Sequence, residues 1–274
     1  MKRLLAWLLL ILPVLSQAQF TYTTNDDSTL TITGYTGDGG DVSIPDVINE
    51  LPVTSIGDFA FSGYTNLVGV AIPNSITYIG NYAFLNCTAL SSIIIPDSVT
   101  RLGGQGADVF SGCTSLTNIV IPSSLGAIGG GMFNSCTHLA SVTIPNGITN
   151  IEDYAFSNCS SLTNVEIPDS VISIGNNAFG GCSSLNSIVI PDNATNIGIA
   201  AFSGCTSLAS FAIPDGITSI DSLFSYCSSL TNVFIPNSIT SIGGYAFGGC
   251  SSLASIVIPD TVTNIGDSAF YSSG

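Results

Sequence analysis

Few side chains in this 274-residue chain are of a kind that performs chemistry. His138 is the only histidine, and the corresponding segments of the chain carry Ser, Asn or Ala in its place, so we expect it to be exposed in a turn. A Ser-His-Asp arrangement would need an oriented, partly buried imidazole. Glu152 and Asp153 match the two carboxylates of glycoside hydrolases in type only, since no cleft is indicated around them. The chain is therefore predicted not to be an enzyme.

Eight cysteines could form disulfides or bind zinc, but their spacing favours neither. A zinc site has little support because no Cys-x-x-Cys pair exists. An even number of cysteines in a secreted chain usually indicates disulfides. Here each cysteine follows a phenylalanine by three residues, and Tyr64 and Ser273 take the same position in other copies. A single buried ladder of free thiols is therefore expected, at Cys87, Cys113, Cys136, Cys159, Cys182, Cys205, Cys227 and Cys250.

Short polar residues follow most of the prolines. Aspartate or asparagine after proline is typical of turns, in which the side chain bonds nearby backbone N–H groups. Asp169, Asp192 and Asp215 occupy this position in three consecutive copies. Regular stacking would place them about 4.8 Å apart, where a calcium ion would relieve their mutual repulsion. Calcium is thus the alternative to plain turn chemistry, and no other cofactor or metal is expected.

A sequence motif that repeats along the chain must position all of these residues. It is marked by a phenylalanine about every 23 residues, at Phe61, Phe84, Phe110, Phe133, Phe156, Phe179, Phe202, Phe224, Phe247 and Phe270. The steps are 23 residues except for one of 26, before Phe110, and one of 22, before Phe224. A period of this size predicts a solenoid, in which each unit buries its apolar side chains by stacking on its neighbours.

Each unit divides into a constant and a variable half. The segment from the phenylalanine to the next proline is always 12 residues long and ends in L-x-x-I/V-x-I, as in Leu116, Ile119 and Ile121. Alternation in its last four residues predicts a strand that the proline ends. The variable half contains S-I-T-S-I-G, whose Ile76 and Ile79 should also point inward. The A-F-x-G-C stretch is expected to form one helical turn.

The predicted strands offer the best candidate for a binding surface. Their fifth position should point outward because the fourth and sixth point inward. Most of its occupants are apolar: after Ala71 they are Ile94, Val120, Thr143, Glu166, Val189, Ala212, Phe234 and Val257. Such a stripe would cover about 400 Å², within the range of the largest patches on ordinary monomers, which are often functional. A preference of β-branched residues for strands explains the pattern equally well.

Composition and charge restrict the location and the partners. Residues 1–18 have the basic start, apolar run and small-residue cleavage site of a secretory signal peptide. Without them, 18 acidic residues face only Arg101, a net charge of −17. Nucleic acids and anionic membrane surfaces are therefore not expected as partners. Residues 19–43 read as a β-hairpin cap, and residues 44–274 as about ten repeats including partial ends.

The last repeat stops at Gly274, before the strand that should follow Phe270. The strand expected at residues 253–258 would then form an open edge, with Leu253, Ile256 and Ile258 poorly covered. Exposed edges of this kind pair with other chains unless they are capped. The sequence therefore suggests that the natural product continues into more repeats, a cap or a sorting domain, or that this end pairs with a partner.

The motifs L-x-x-I/V-x-I-P and A-F-x-x-C resemble those of the BspA-like leucine-rich repeats of bacterial surface proteins, also found in treponemes and some protozoan parasites. The resemblance covers residues 44–274. It implies a leucine-rich-repeat solenoid, an α/β-type right-handed superhelix dominated by β structure, with parallel strands on a concave face and short turns or strands opposite. It also implies a secreted or surface-attached protein implicated in adhesion, and no catalytic residues.

These observations together favour a non-catalytic binding or adhesion module, secreted or displayed at the cell surface. It would engage a protein or a glycan at a cell surface through the concave face. The alternative is a structural or spacer segment of a larger envelope protein.

Overall fold

A computed structural model describes residues 19–104 and 107–274. The predicted signal peptide, residues 1–18, lies outside the described residues. The described chain is a parallel β-solenoid in which each regular unit contributes one strand to each of two rows. At its N-terminal end, β1 (Phe20–Thr24) and β2 (Leu30–Tyr35) form an antiparallel hairpin, and β4 (Val47–Ile48) pairs with β5 (Leu51–Ile56).

The first row contains the longer strand of each unit. Its members are β3 (Gly40–Ser43), β6 (Leu67–Ala71), β8 (Ser92–Ile94), β10 (Asn118–Val120), β12 (Ser141–Thr143), β14 (Asn164–Glu166), β16 (Ser187–Val189), β18 (Ser210–Ala212) and β20 (Asn232–Phe234). The alternation in the sequence predicted these strands, and their parallel register places equivalent residues side by side, as with Ile119 and Val142. We call the outward surface of this row the strand face.

The second row continues from β2 and β5 through short strands of two residues. They are β7 (Tyr78–Ile79), β9 (Arg101–Leu102), β11 (Ala127–Ile128), β13 (Asn150–Ile151), β15 (Ser173–Ile174), β17 (Asn196–Ile197), β19 (Ser219–Ile220), β21 (Ser241–Ile242) and β22 (Asn264–Ile265). The variable half of the repeat therefore forms a strand as well. Ile76 and Ile79 point inward as predicted and are fully buried.

The core is a file of identical side chains stacked along the solenoid. The repeated phenylalanines from Phe61 to Phe247 are fully buried. Successive rings lie parallel with centroids 5.1–5.6 Å apart, except for 6.4 Å between Phe202 and Phe224. Leu116, Ile119 and Ile121 and their equivalents surround this file. Each unit thus buries its apolar surface only against its neighbours, as a solenoid requires.

The A-F-x-G-C stretch does not form the helical turn that we expected. No helix occurs within residues 19–104 and 107–274. The residues two before and two after each repeated phenylalanine have positive φ, for example Phe59 and Gly63 around Phe61. Only three residues lie between the two left-handed residues, fewer than the 3.6 residues of one helical turn. Left-handed and right-handed conformations cannot share a helix, so no helical turn forms.

These turns carry a hydrogen-bond system of their own, which we call the turn ladder. The N–H groups of Phe59, Phe61 and Gly63 donate to carbonyls of the next unit at 2.7–3.0 Å. The N–H groups between them, such as that of Ser62, donate three residues back within the same unit. The pattern repeats through to Tyr271, whose carbonyl accepts from Gly249. The turn segments therefore add three backbone hydrogen bonds between each of these units and the next.

Within the described residues, strand pairing in both rows stops at the same two places. One lies between β8 and β10 and between β9 and β11, in the 26-residue step. The other lies between β16 and β18 and between β17 and β19. Here Phe211 replaces the Ile or Val of other units, and its ring packs 5.0 Å from Phe202 and 4.9 Å from Phe224. This extra ring accounts for the wide 6.4 Å gap in the phenylalanine file.

The two ends of the file are covered differently. Phe20 and Tyr35 of the hairpin pack on the ring of Phe61 with centroids 6.4 and 5.7 Å away. At the other end, no strand is formed over residues 253–258, contrary to expectation. Leu253 is nevertheless buried, because the turn at Gly274 bonds back to Cys250, so the expectation that it would be poorly covered is wrong. Ile258 is 37% exposed.

Candidate binding surface

The strand face exposes the residues that the alternation predicted to point outward. Ile94, Val189 and Val257 are 82%, 78% and 83% exposed, while Val120 and Phe234 are 63% and 61% exposed. Thr143, Glu166 and Ala212 are also exposed. All but Val257 lie in strands of the first row, whereas Val257 follows an unpaired stretch. The direction of these side chains is as predicted, and their role in binding remains a prediction.

The register brings the stripe residues of neighbouring units into contact distance. Glu166 lies beside Val189, and Ala212 beside Phe234. The third strand position, two residues earlier, carries exposed small or polar residues such as Ser187 and Asn232. The strand face is therefore an apolar stripe bordered by hydrogen-bonding groups, with Glu166 as the single charge among the stripe residues.

Three depressions lie on this face, at different places along the first row. A depression of about 310 Å³ is lined by Val189, Phe211, Ala212 and Phe234, at the gap between β16 and β18. A larger one, of about 670 Å³, is lined by Asp41, Gly69, Ile94 and neighbouring residues near the gap between β8 and β10. A third depression, of about 270 Å³, is lined by Val142, Thr143 and Glu166 between the paired strands β12 and β14. The sequence pattern predicted the row of exposed residues but not these depressions.

The cysteine ladder is structural. All eight cysteines are free and buried. Each thiol donates to the backbone carbonyl of the phenylalanine one unit earlier, as Cys87 does to Phe61 at 3.0 Å and Cys182 to Phe156 at 3.2 Å. Burial raises the pKa of Cys87, Cys136 and Cys182 to about 12. A thiol that stays protonated is a poor nucleophile and a poor metal ligand.

The aspartates that follow the prolines and His138, which could take part in chemistry, lie on the surface. Asp169, Asp192 and Asp215 are exposed, and the described residues contain no group of three or more His, Cys, Asp or Glu side chains placed to hold a metal ion. Asp97, at the same position, accepts from the Ser123 N–H of the next unit at 3.1 Å, in line with turn chemistry. The exposed His138 lies 2.7 Å from the Thr114 carbonyl through Nδ1.

Glu152 and Asp153 do line a cleft, contrary to the sequence analysis. The cleft has a volume of about 770 Å³ and lies along the second row, with Asp108 and Tyr154 among its lining residues. The sequence held a signal for it that we did not use. Gly130 and Gly131 occupy two consecutive positions that are both glycine in no other unit, so this unit leaves a gap between the side chains of its neighbours.

Comparison with known proteins agrees with this architecture. The sequence profile of the BspA type leucine rich repeat region matches residues 41–163 and 149–274, and the chain belongs to this family. A leucine rich cell surface protein from Faecalibacterium prausnitzii is 30% identical, with 92% of this chain and 84% of that one covered and a TM-score of 0.59. No curated protein matches the chain.

Two further solved structures share the fold. The pneumococcal vaccine antigen PcpA is 22% identical over 90% of this chain and 75% of that one, with a TM-score of 0.64. A leucine-rich repeat protein from Eubacterium ventriosum is 21% identical over 93% of both chains, with a TM-score of 0.57. Among the described residues, no helix is long and apolar enough to cross a membrane.

Proposed function

We propose that this protein is a non-catalytic binding module of the cell surface, and that it engages a protein partner through the strand face. The observation that carries the proposal is the row of exposed apolar side chains, in which Ile94, Val189 and Phe234 are more than half exposed. Large apolar groups dominate the energetics of protein interfaces when they enter pockets of a partner. Membership in a leucine-rich-repeat family with surface proteins among its relatives supports the same role.

The charge of the chain indicates the kind of partner. With 18 acidic and three basic residues, the net charge is −15. A partner with basic groups around an apolar patch would be attracted at long range and would match the stripe at close range. Export by the signal peptide predicted in residues 1–18 would bring the module to such a partner outside the cell.

Phe234 and Val189 are the proposed anchors, because both line the depression at the gap between β16 and β18. The test is capture of proteins from host or neighbouring-cell surface extracts, followed by identification and a direct affinity measurement with the purified partner. The double variant Phe234→Ser and Val189→Ser should bind at least about 100-fold more weakly, since two anchors contribute about 3 kcal/mol.

A matched control keeps the number of lost apolar groups constant. Ile172 and Ile199 are 48% and 53% exposed and lie outside the strand face, so Ile172→Ser with Ile199→Ser should leave the affinity unchanged. Raising the salt concentration should slow association with a basic partner. Equal affinities of the two double variants would show that the partner does not bind through the stripe, whose apolar residues would then reflect strand propensity alone. Capture of no partner at all would favour a structural or spacer role for the solenoid.

A further inference from the structure

The cleft lies along the second row of strands, beside a line of side chains formed by the residues three and two before each repeated phenylalanine. In one unit these residues are Gly130 and Gly131, and the cleft is the gap that they leave in the line. Asp108 of the preceding unit and Tyr154 of the following unit stand on either side. A Cβ at Gly131 would come 2.1 Å from the Asp108 carboxylate, so the Asp108 side chain already lies over the floor of the cleft.

The acidic groups of the cleft are held in place by neighbouring units. Glu152 Oε2 accepts from the Gly130 N–H at 3.0 Å. Asp153 accepts from the Asn176 N–H at 2.6 Å and from its side-chain amide at 3.1 Å. A carboxylate has about four acceptor positions, so these groups keep acceptor capacity for a ligand. Their positions are fixed before any ligand arrives, which lowers the entropic cost of binding.

The remaining lining supplies donors and an aromatic surface. Asn134 and Asn150 line the cleft with side-chain amides, which both donate and accept. The Tyr154 side chain is 49% exposed and offers an apolar ring with a polar tip. None of the described residues that line the cleft is Lys, Arg or His. Hydroxyl groups flanked by C–H surfaces match this combination, whereas anions would be repelled by the carboxylates.

We propose that this cleft binds a neutral oligosaccharide, whose hydroxyls bond Asp108, Glu152 and the asparagine amides while a sugar face packs on Tyr154. A neighbouring depression of about 370 Å³ shares Asp153, Gly175 and Asn196 with the cleft and extends it along the solenoid. The site therefore has room for more than one sugar residue. No strand-face residue lines it, so the proposal is independent of the protein-binding role.

Tyr154 gives the sharpest test because its replacement need not disturb the fold. Its φ is 59°, and the next unit carries Asn177 at the same position with φ of 51°. Tyr154→Asn therefore keeps a residue that tolerates the left-handed conformation. Tyr245→Asn is the matched control, since Tyr245 has φ of 55° and the same 49% exposure but lies outside the cleft.

The experiment measures binding of the full chain to neutral hexasaccharides of glucose, mannose, xylose and N-acetylglucosamine, with polygalacturonate and a hexa-arginine peptide as charged probes. A neutral hexasaccharide should bind, and Tyr154→Asn should weaken it about tenfold while Tyr245→Asn does not. Circular dichroism confirms that both variants fold. Binding of hexa-arginine alone, of polygalacturonate alone or of no probe at millimolar concentration overturns the proposal, as does equal affinity of the two variants.

Discussion

At the scale of single residues, the left-handed positions around each phenylalanine are the most demanding feature. Glycine adopts positive φ without strain, but this chain also places Phe59, Tyr82, Tyr154, Tyr226 and Tyr245 there. Bulky residues in this conformation are rare and cost free energy. The turn ladder holds them, because the N–H of each such residue donates to the next unit.

Two adjacent alanines allow this strain to be measured. Ala200 has φ of 56°, whereas Ala201 is fully buried and lies outside the left-handed region. Ala200→Gly should raise the free energy of unfolding by about 0.5–1 kcal/mol, because the relief of left-handed strain exceeds the entropy cost of glycine. Ala201→Gly should lower it by about 1–2 kcal/mol. Urea unfolding of both variants checks the pair, and a loss of stability in Ala200→Gly would contradict the strain argument.

At the scale of elements, the strands were predictable and the turns were not. Ile119 and Ile121 alternate with outward residues, and the exposed–buried–exposed pattern recurs in every first-row strand from β8 to β20. The A-F-x-G-C stretch is too short for its apolar residues to distinguish a helical turn from other turns. A better signal was the recurrence of Gly or Asn two residues after the phenylalanine, as in Gly63 and Asn86, since these residues favour positive φ.

The two candidate binding surfaces also differ in how well the sequence predicts them. The outward direction of Val189 and Phe234 follows from alternation within one strand. The cleft beside Tyr154 depends on side chains missing at Gly130 and Gly131, in a unit 23 residues away along the chain. The register between units places Gly130 and Gly131 beside Tyr154, and this juxtaposition creates the cleft. The sequence of a single unit therefore does not indicate the cleft.

The cysteine ladder predicts unfolding at alkaline pH. The pKa of Cys182 is about 12 in the folded protein and about 8.5 in an unfolded chain. Between these values the unfolded state loses the thiol proton and the folded state keeps it, so stability is full below pH 8.5 and falls as pH rises. Each thiol should contribute about 1.4 kcal/mol per pH unit to this fall.

Cys182→Ala isolates the contribution of one thiol. Urea unfolding between pH 7 and pH 11 should show a constant loss of stability from the cavity and a shallower pH slope than in the unaltered protein. Tyrosine ionisation affects both proteins equally and cancels in the comparison. Identical slopes would mean that the Cys182 thiol ionises as readily in the folded protein as in the unfolded chain.

Phe211 predicts a local effect on strand pairing. Replacing it by isoleucine, the residue of several other units, should let the rings of Phe202 and Phe224 approach to about the regular spacing and join β16 to β18. Amide hydrogen exchange in residues 210–212 and 219–220 should then slow. This should occur although the lost ring volume costs about 1–2 kcal/mol globally. Ile188→Val, one unit earlier, serves as the control. Unchanged hydrogen exchange in Phe211→Ile would mean that Phe211 does not cause the missing pairing between β16 and β18.

At the scale of the whole molecule, net charge opposes the close stacking of the units. The described residues contain eighteen acidic residues and one Lys or Arg, Arg101, in a solenoid in which equivalent positions repeat at every unit. Like charges can therefore occupy the same position in successive units and repel one another, as is expected for Asp169, Asp192 and Asp215. The free energy of the core has to exceed this repulsion along the full length of the molecule.

The melting temperature should consequently rise when sodium chloride is increased from 10 to 150 mM, because the screening length falls from about 30 to 8 Å. The triple variant Asp169→Asn, Asp192→Asn and Asp215→Asn should show a smaller rise. Asparagine already follows proline in other units, for example at Asn74, so the turns are kept. Calorimetry measures both proteins, and an equal salt response would show that these three carboxylates do not repel appreciably.

The hydrogen bonds between paired strands of both rows, and the turn-ladder bonds donated by residues such as Phe59, Phe61 and Gly63, connect one unit to the next. They therefore lie along the long axis of the solenoid, the direction in which a tethered surface protein is stretched when its two ends are pulled apart. A pulling force in this geometry opens unit interfaces in succession and does not shear all of them at once. Each released unit would add about 80 Å of extended chain. The molecule would thus lengthen stepwise under load and retract when the load is removed.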